Sequence, residues 1–138
     1  MISKILIAYD GSDPSKRAFD FGLDIASKYS AELLVLSVVR LPEPAVDVET
    51  ESLVESGGEY YKEQFAELRE KAASLGITPR FEVAVGHPAE QIIDRAEEEN
   101  VDLIVMGHRG KTFVERWLLG SVSKRVLSYA HCAVTIVR

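Results

Sequence analysis

The chain has 138 residues, of which 46% are apolar and 28% charged, and its formal net charge at pH 7 is −6. This length and composition are typical of one globular domain with its own core, so we expect a single domain over residues 1–138. The negative charge argues against a general nucleic-acid binder, because such proteins normally present a basic face. The apolar runs are too short for an export signal or a membrane span, which predicts a cytoplasmic protein that does not enter a membrane.

Strand patterns alternate with helix patterns along the chain. The first apolar run is followed by Asp13-Pro14, which has the pattern of a helix N-cap with proline at the first helical position. Residues 40–58 have no firm periodicity and predict a loop that leads into a helix, which Gly76 ends. The predicted strands cover residues 5–8, 33–39, about 79–85, 101–106 and 133–137.

Strands separated by helices predict right-handed crossovers and a parallel sheet. The expected fold class is therefore α/β, a single doubly wound domain with five parallel strands and helices on both faces, in a flavodoxin-like or related order. Ligands in such sheets bind beyond the carboxyl ends of the strands, where the strand order reverses. The residues that should converge there follow the first, second and fourth strands: Tyr9, Asp10, Gly11, Ser12, Val38, Val39 and Gly107 onward.

Glycines mark the connection between the fourth strand and the fourth helix. Gly107, Gly110, Gly120 and Ser121 give the spacing Gly-x2-Gly-x9-Gly-Ser. Such a connection presents backbone N–H groups to an anion, and glycine lets a phosphate approach the main chain. A P-loop is excluded, because it would need a glycine at the position of Val105. Ordinary turn chemistry is the alternative explanation of these glycines.

Basic side chains gather around this connection, although the chain is acidic overall. They are His108, Arg109, Lys111, Arg116, Lys124 and Arg125. Cations concentrated around one loop suit a polyphosphate ligand. Lys124 and Arg125 are better explained as solvated residues of the fourth helix.

These features resemble the ATP-binding branch of the universal stress protein family, and the similarity covers essentially the whole chain. Residues 5–12 resemble that family's first strand and its terminal aspartate, residues 36–39 its second strand, and residues 86–93 the start of its third helix. Residues 102–123 match its glycine motif in full. The resemblance implies the strand order 3-2-1-4-5 of the adenine nucleotide α-hydrolase-like fold. It also implies bound ATP, or AMP or ADP, with Mg²⁺ or Mn²⁺ carried on the phosphates.

The resemblance also assigns site residues. Asp10 and Val38 would hold the adenosine end, and the glycine connection would wrap the phosphates while serine hydroxyls and the helix N-terminus bind them. Asp10 could instead be a turn residue and Ser121 a helix N-cap. The complete predicted set is Tyr9, Asp10, Gly11, Val38, Met106, Gly107, His108, Arg109, Gly110, Gly120, Ser121, Val122 and Ser123.

A regulatory protein that binds an adenine nucleotide and acts through partners is the first functional hypothesis. The alternatives are a slow ATPase and a nucleotide-free dimeric interaction module. Hydrolysis needs a residue that orients water, and no second carboxylate stands in a motif position, so we expect binding without a catalytic residue. The last strand, Ala133–Val137, is apolar and predicts an edge where two copies pair antiparallel as a homodimer, which the resemblance also implies.

Overall fold

A computed structural model describes residues 1–41, 47–108 and 120–138. Strands and helices alternate through these ranges, and all strand pairings among them are parallel. The strands are β1 (Lys4–Ala8), β2 (Glu32–Val39), β3 (Arg80–Val85), β4 (Leu103–Gly107) and β5 (Ala133–Val137). The helices are α1 (Asp13–Tyr29), α2 (Asp47–Ala73), α3 (Pro88–Glu98) and α4 (Ser121–Tyr129). The strand order is β3-β2-β1-β4-β5, which confirms the predicted fold class and the order 3-2-1-4-5.

The core lies in two layers, one on each face of the sheet. Because side chains alternate along a strand, β1 sends Ile5 and Ile7 to one face and Leu6 and Ala8 to the other. The first face packs against α1 and α2, and the second against α3 and α4. The central strands are thereby covered on both sides, which explains their uninterrupted apolar sequences.

The start of α1 differs from the prediction by one residue. Ser12, not Asp13, is the N-cap: its backbone is extended and its hydroxyl accepts a hydrogen bond from the Ser15 N–H at 3.3 Å. Asp13 is the first helical residue and Pro14 the second. Serine and aspartate are equally good caps, so the sequence alone does not choose between these neighbours.

The start of α2 is a larger correction. Residues 47–58 were predicted as part of a loop, but they belong to α2, while residues 42–46 lie outside the described ranges. Leu53 and Gly57 lie on the same helix face as Tyr61, but Leu53 is 48% exposed at the cleft and Gly57 has no side chain to bury. This half of the helix therefore adds little to the apolar stripe, which explains why periodicity did not reveal it.

Within the described ranges, every helix is too short or too polar to cross a membrane.

Candidate functional site

A cleft of about 680 Å³ opens at the carboxyl edge of the sheet. Its floor is formed by the ends of β1, β2 and β4, which meet where the strand order reverses between β1 and β4. Its volume is in the usual range for a small-molecule site. The predicted site residues that line it are Tyr9, Asp10, Val38, Met106, Gly107, Gly120, Ser121, Val122 and Ser123.

Of the other four predicted site residues, two are placed away from the cleft lining and two are not described. Arg109 and Gly110 lie outside the described residues. His108 is buried, with 8% of its surface exposed, and it is not among the described residues that line the cleft. Its backbone instead joins three elements, because its N–H donates to the Val137 carbonyl at 2.9 Å and its carbonyl accepts from the Gly120 N–H at 2.8 Å. Gly11 also does not line the cleft, although it follows Asp10 directly.

The turn after β1 is organised by Asp10. Its Oδ1 accepts hydrogen bonds from the Ser12 backbone N–H at 2.9 Å and the Ser12 hydroxyl at 2.5 Å. This is the turn chemistry that the sequence offered as an alternative for Asp10. The same residue also lines the cleft, so the turn role and a ligand role are compatible.

The start of α4 differs from that of α1. Gly120 is its N-cap, so no side chain caps the helix, and its first turn contains no acidic residue. Ser121 is therefore not the cap that one reading of the sequence suggested, but the first helical residue, and it is exposed at the cleft. The first N–H groups of a helix have no partner within it, and they carry its partial positive charge. This end of the cleft suits an anion.

Ser123 is held more firmly than a flexible hydroxyl donor would be. It is 2% exposed, and its hydroxyl is directed at the carbonyls of Gly120, at 3.0 Å, and His108, at 3.2 Å. This hydroxyl joins the end of β4 to the first turn of α4. Binding a phosphate through it would require the hydroxyl to turn away from those carbonyls.

Gly107 has a packing role that the sequence interpretation missed. A Cβ at this position would lie 2.7 Å from the Pro14 Cβ and 3.0 Å from the Ser15 backbone nitrogen. Glycine at the end of β4 therefore lets the first turn of α1 sit directly against the strand. The structure gives a reason for Gly107 that involves no ligand.

The α2 wall is the part of the cleft that sequence reasoning did not find. It consists of Leu53, Ser56, Gly57, Tyr60 and Tyr61, which lie on one face of that helix. The paired glycines inside α2, Gly57 and Gly58, were the available signal, because glycine in a helix often marks a close approach. A Cβ at Gly57 would lie 2.8 and 2.9 Å from the two methyl groups of Val39, so the helix rests on the end of β2.

Two tyrosines that line the cleft, Tyr9 and Tyr61, stay protonated over a wide pH range. Burial raises the pKa of both Tyr9 and Tyr61 to about 12, with smaller contributions from neighbouring groups that include Asp10. The Tyr9 hydroxyl donates to Gln64 Oε1 of α2 at 2.8 Å. This bond ties the end of β1 to the helix that walls the cleft.

The described residues of the cleft offer a ligand both acceptors and donors, but they form no metal site of their own. No three His, Cys, Asp or Glu side chains in this part of the chain are grouped as they would be to hold a metal ion. The carboxylate of Asp10 and the start of α4 both line the same cleft. The cleft therefore presents a charged acceptor and the N–H groups of a helix start to one ligand.

Comparison with known proteins agrees with this architecture. Universal stress protein MJ0531 of Methanocaldococcus jannaschii is 39% identical over 142 residues, which cover 100% of this chain and 83% of that protein. The structure of UspA from Lactobacillus plantarum superposes with a TM-score of 0.92 at 28% identity, covering 99% of this chain and 98% of that one. A universal stress protein in complex with cAMP superposes with a TM-score of 0.76 at 27% identity, covering 99% and 97%. The model of the Universal stress protein family matches residues 1–138, and the chain belongs to that family.

Proposed function

We propose that this protein binds an adenine nucleotide, ATP in the first place, in the cleft at the carboxyl edge of its sheet, and that it acts through nucleotide-dependent contacts with partners. The observation that carries the proposal is the start of α4, where Gly120 leaves the first turn without a side-chain cap at the edge of the cleft. The cAMP complex of a related universal stress protein supports an adenine nucleotide as the ligand.

The two ends of the cleft fit the two ends of a nucleotide. The α4 end offers backbone N–H groups and the Ser121 hydroxyl to phosphates. The β2 end has apolar surface from Val38 and Leu36 on the strand and Leu53 on α2, beside the polar Arg40 and Ser56, and the apolar part suits a purine ring. A divalent cation, Mg²⁺ or Mn²⁺, would arrive on the phosphates and neutralise part of their charge.

We propose binding rather than turnover. Asp10 is the one carboxylate among the described residues that line the cleft, and its Oδ1 is already bonded to Ser12. Water activation needs a base within hydrogen-bond reach of the attacking water. A carboxylate held in a turn at the nucleoside end is better suited to position the ligand.

The proposal is tested by denaturing the purified protein and identifying the nucleotide that is released. We expect adenine nucleotides. The nucleotide-stripped protein should then melt at a higher temperature when ATP and Mg²⁺ are added, because a ligand of the native state stabilises it. A protein that carries no nucleotide, and whose melting temperature ATP does not change, would contradict the proposal and favour a nucleotide-free interaction module.

We further propose a homodimer in which the β5 strands of two copies pair antiparallel. β5 is an edge of the sheet, and its residues are partly exposed apart from the exposed Ala133. The Val137 carbonyl accepts from the His108 N–H on the β4 side, so the backbone groups of the alternate residues Val134 and Ile136 face the open edge. Unpaired groups on an apolar edge favour pairing with a second chain.

Substitution of Ile136 tests this dimer. Ile136→Pro removes an N–H that faces the open edge, whereas Ile136→Ala loses the same side-chain packing and keeps the N–H. Light scattering should show a dimer for the wild type and the alanine variant and a monomer for the proline variant. A wild-type monomer at micromolar concentration would rule out the dimer, and a folded dimeric Ile136→Pro protein would place the interface elsewhere.

A further inference from the structure

Tyr60 lies where the α2 wall meets the turn after β1. Its ring lines the cleft and is 38% exposed. The ring stands edge-on to that of Tyr61, with centroids 5.1 Å apart and an interplanar angle of 70°. Tyr61 is 5% exposed and stacks on Phe65, so the surface that supports Tyr60 is a fixed part of the core. The Tyr60 ring therefore rests on a buried part of the core beside the cleft.

The Tyr60 hydroxyl reaches the backbone of Gly11. A Cβ at position 11 would overlap that hydroxyl, and Gly11 has a φ of 84°, a conformation that favours glycine. Both features allow the phenol to sit directly over the turn. Its hydroxyl therefore lies next to the residue that follows Asp10 in the chain.

Contacts that do not involve Tyr60 also hold α2 on the sheet. The Tyr9 hydroxyl bonds to Gln64 at 2.8 Å, and Gly57 lies against Val39. These contacts hold the same face of the helix on the ends of β1 and β2. Removing the Tyr60 hydroxyl should leave the helix in place, so its contribution to binding can be measured separately.

Asp10 and Tyr60 together offer the two partners that a vicinal diol needs. The carboxylate accepts a hydrogen bond from one hydroxyl, and the phenol donates to or accepts from the other. Asp10 stands at the tip of β1, between the tips of β2 and β4 at the usual strand spacing of about 4.8 Å. In a nucleotide with its base at β2 and its phosphates at α4, the ribose occupies this middle position.

We infer that Tyr60 is a specificity-determining residue that, with Asp10, recognises the ribose hydroxyls and favours ribonucleotides over their deoxy analogues. The inference rests on the proposed function, since it concerns the nucleoside end of the same cleft. Tyr60 lies outside the predicted site set, and through it the α2 wall takes part in ligand selection.

Calorimetric titration of the nucleotide-stripped protein tests the role of Tyr60. ATP, 2′-deoxy-ATP and 3′-deoxy-ATP are compared on the wild type and on Tyr60→Phe, which keeps the ring and its contact with Tyr61. The wild type should bind ATP roughly threefold to tenfold more tightly than at least one deoxy analogue, as expected for one hydrogen bond. Tyr60→Phe should lose that preference through weaker ATP binding, with the affinity for that analogue unchanged.

The control is Tyr29→Phe, which removes an exposed phenol at the far end of α1 and should preserve the wild-type preference. An equal ATP-to-deoxy ratio in the wild type and Tyr60→Phe would overturn the inference and leave nucleotide binding intact. If the wild type does not bind ATP, both this inference and the proposed function fail. The two failures are therefore distinguishable in one set of titrations.

Discussion

The starts of α1 and α4 follow the two neighbouring strands β1 and β4, yet they are built differently. At α1, the Ser12 hydroxyl caps the Ser15 N–H, and Asp13 places a negative charge in the first turn. Asp10 completes the turn by accepting two hydrogen bonds from Ser12. The Ser12 cap and the Asp13 charge therefore compensate the partial positive charge at the start of α1.

At the start of α4 the corresponding residues supply neither a side-chain cap nor a negative charge. Gly120 occupies the cap position and Ser121 the position that Asp13 has in α1. The Ser123 hydroxyl is directed at carbonyls and not at the helix N–H groups. Two helix starts at one cleft thus have the same place in the fold and different chemistry. The start of α1 is capped by a side chain of its own segment, whereas the start of α4 has no such cap and leaves its first N–H groups for an anion.

The largest effect should come from giving α4 the start of α1. The double variant Gly120→Ser, Ser121→Asp supplies a cap and a negative charge at the two matching positions. A carboxylate about 4 Å from a phosphate, at an effective dielectric constant of 20, costs about 4 kcal/mol per charge pair. We expect the affinity for ATP to fall by about a hundredfold or more, measured by calorimetry.

Two controls separate charge from other effects of this variant. Ser121→Ala removes only the hydroxyl and should weaken ATP binding by roughly tenfold or less. Adenosine, which has no phosphate, should bind the double variant as it binds the wild type. If the double variant kept its affinity for ATP, the phosphates would not lie at the start of α4.

The next largest effect should come from substitution of Gly107, which separates its packing role from a role in ligand binding. Gly107→Ala introduces a Cβ within 3.0 Å of Pro14 and Ser15, so the first turn of α1 must shift. Overpacking of this kind costs about 1–3 kcal/mol, which should appear as a lower melting temperature of the ligand-free protein.

Gly58→Ala is the matched control for that variant. A Cβ there has no neighbour within 4 Å, and alanine is the better helix former, so we expect a gain of about 0.5–1 kcal/mol. Unchanged stability of ligand-free Gly107→Ala would show that Gly107 is needed for the ligand alone.

The sheet and much of the site could be predicted because their signals are local. Apolar runs such as residues 5–8 and 33–39 mark buried parallel strands, and the topology rule then places the ends of β1, β2 and β4 together. The spacing of Gly107, Gly110 and Gly120, together with similarity along the rest of the chain, indicated the family that the family model confirms. These inferences need no knowledge of side-chain contacts.

The rest depends on contacts between distant parts of the chain. In the α2 wall Leu53 is exposed at the cleft and Gly57 has no side chain, so the sequence shows little apolar pattern there. The packing of Gly107 against Pro14 joins residues that are far apart along the chain. The hydrogen bond from the His108 N–H to the Val137 carbonyl likewise joins β4 to the distant β5. None of these contacts can be read from the residue types alone.

The smallest effect should come from removing the side-chain cap at the start of α1. Ser12→Ala removes the cap and one of the two hydrogen bonds to Asp10, and loss of an N-cap costs about 1 kcal/mol. The control is Ser128→Ala in α4, where the exposed hydroxyl donates to the Lys124 carbonyl of its own helix and the substitution should be nearly neutral. Because the start of α1 is capped by its own residues and is not expected to bind the phosphates, ATP affinity should stay within about threefold of the wild type while the melting temperature falls. A tenfold loss of ATP affinity in Ser12→Ala would instead make the start of α1 part of the binding site, and the contrast between the two helix starts would be wrong.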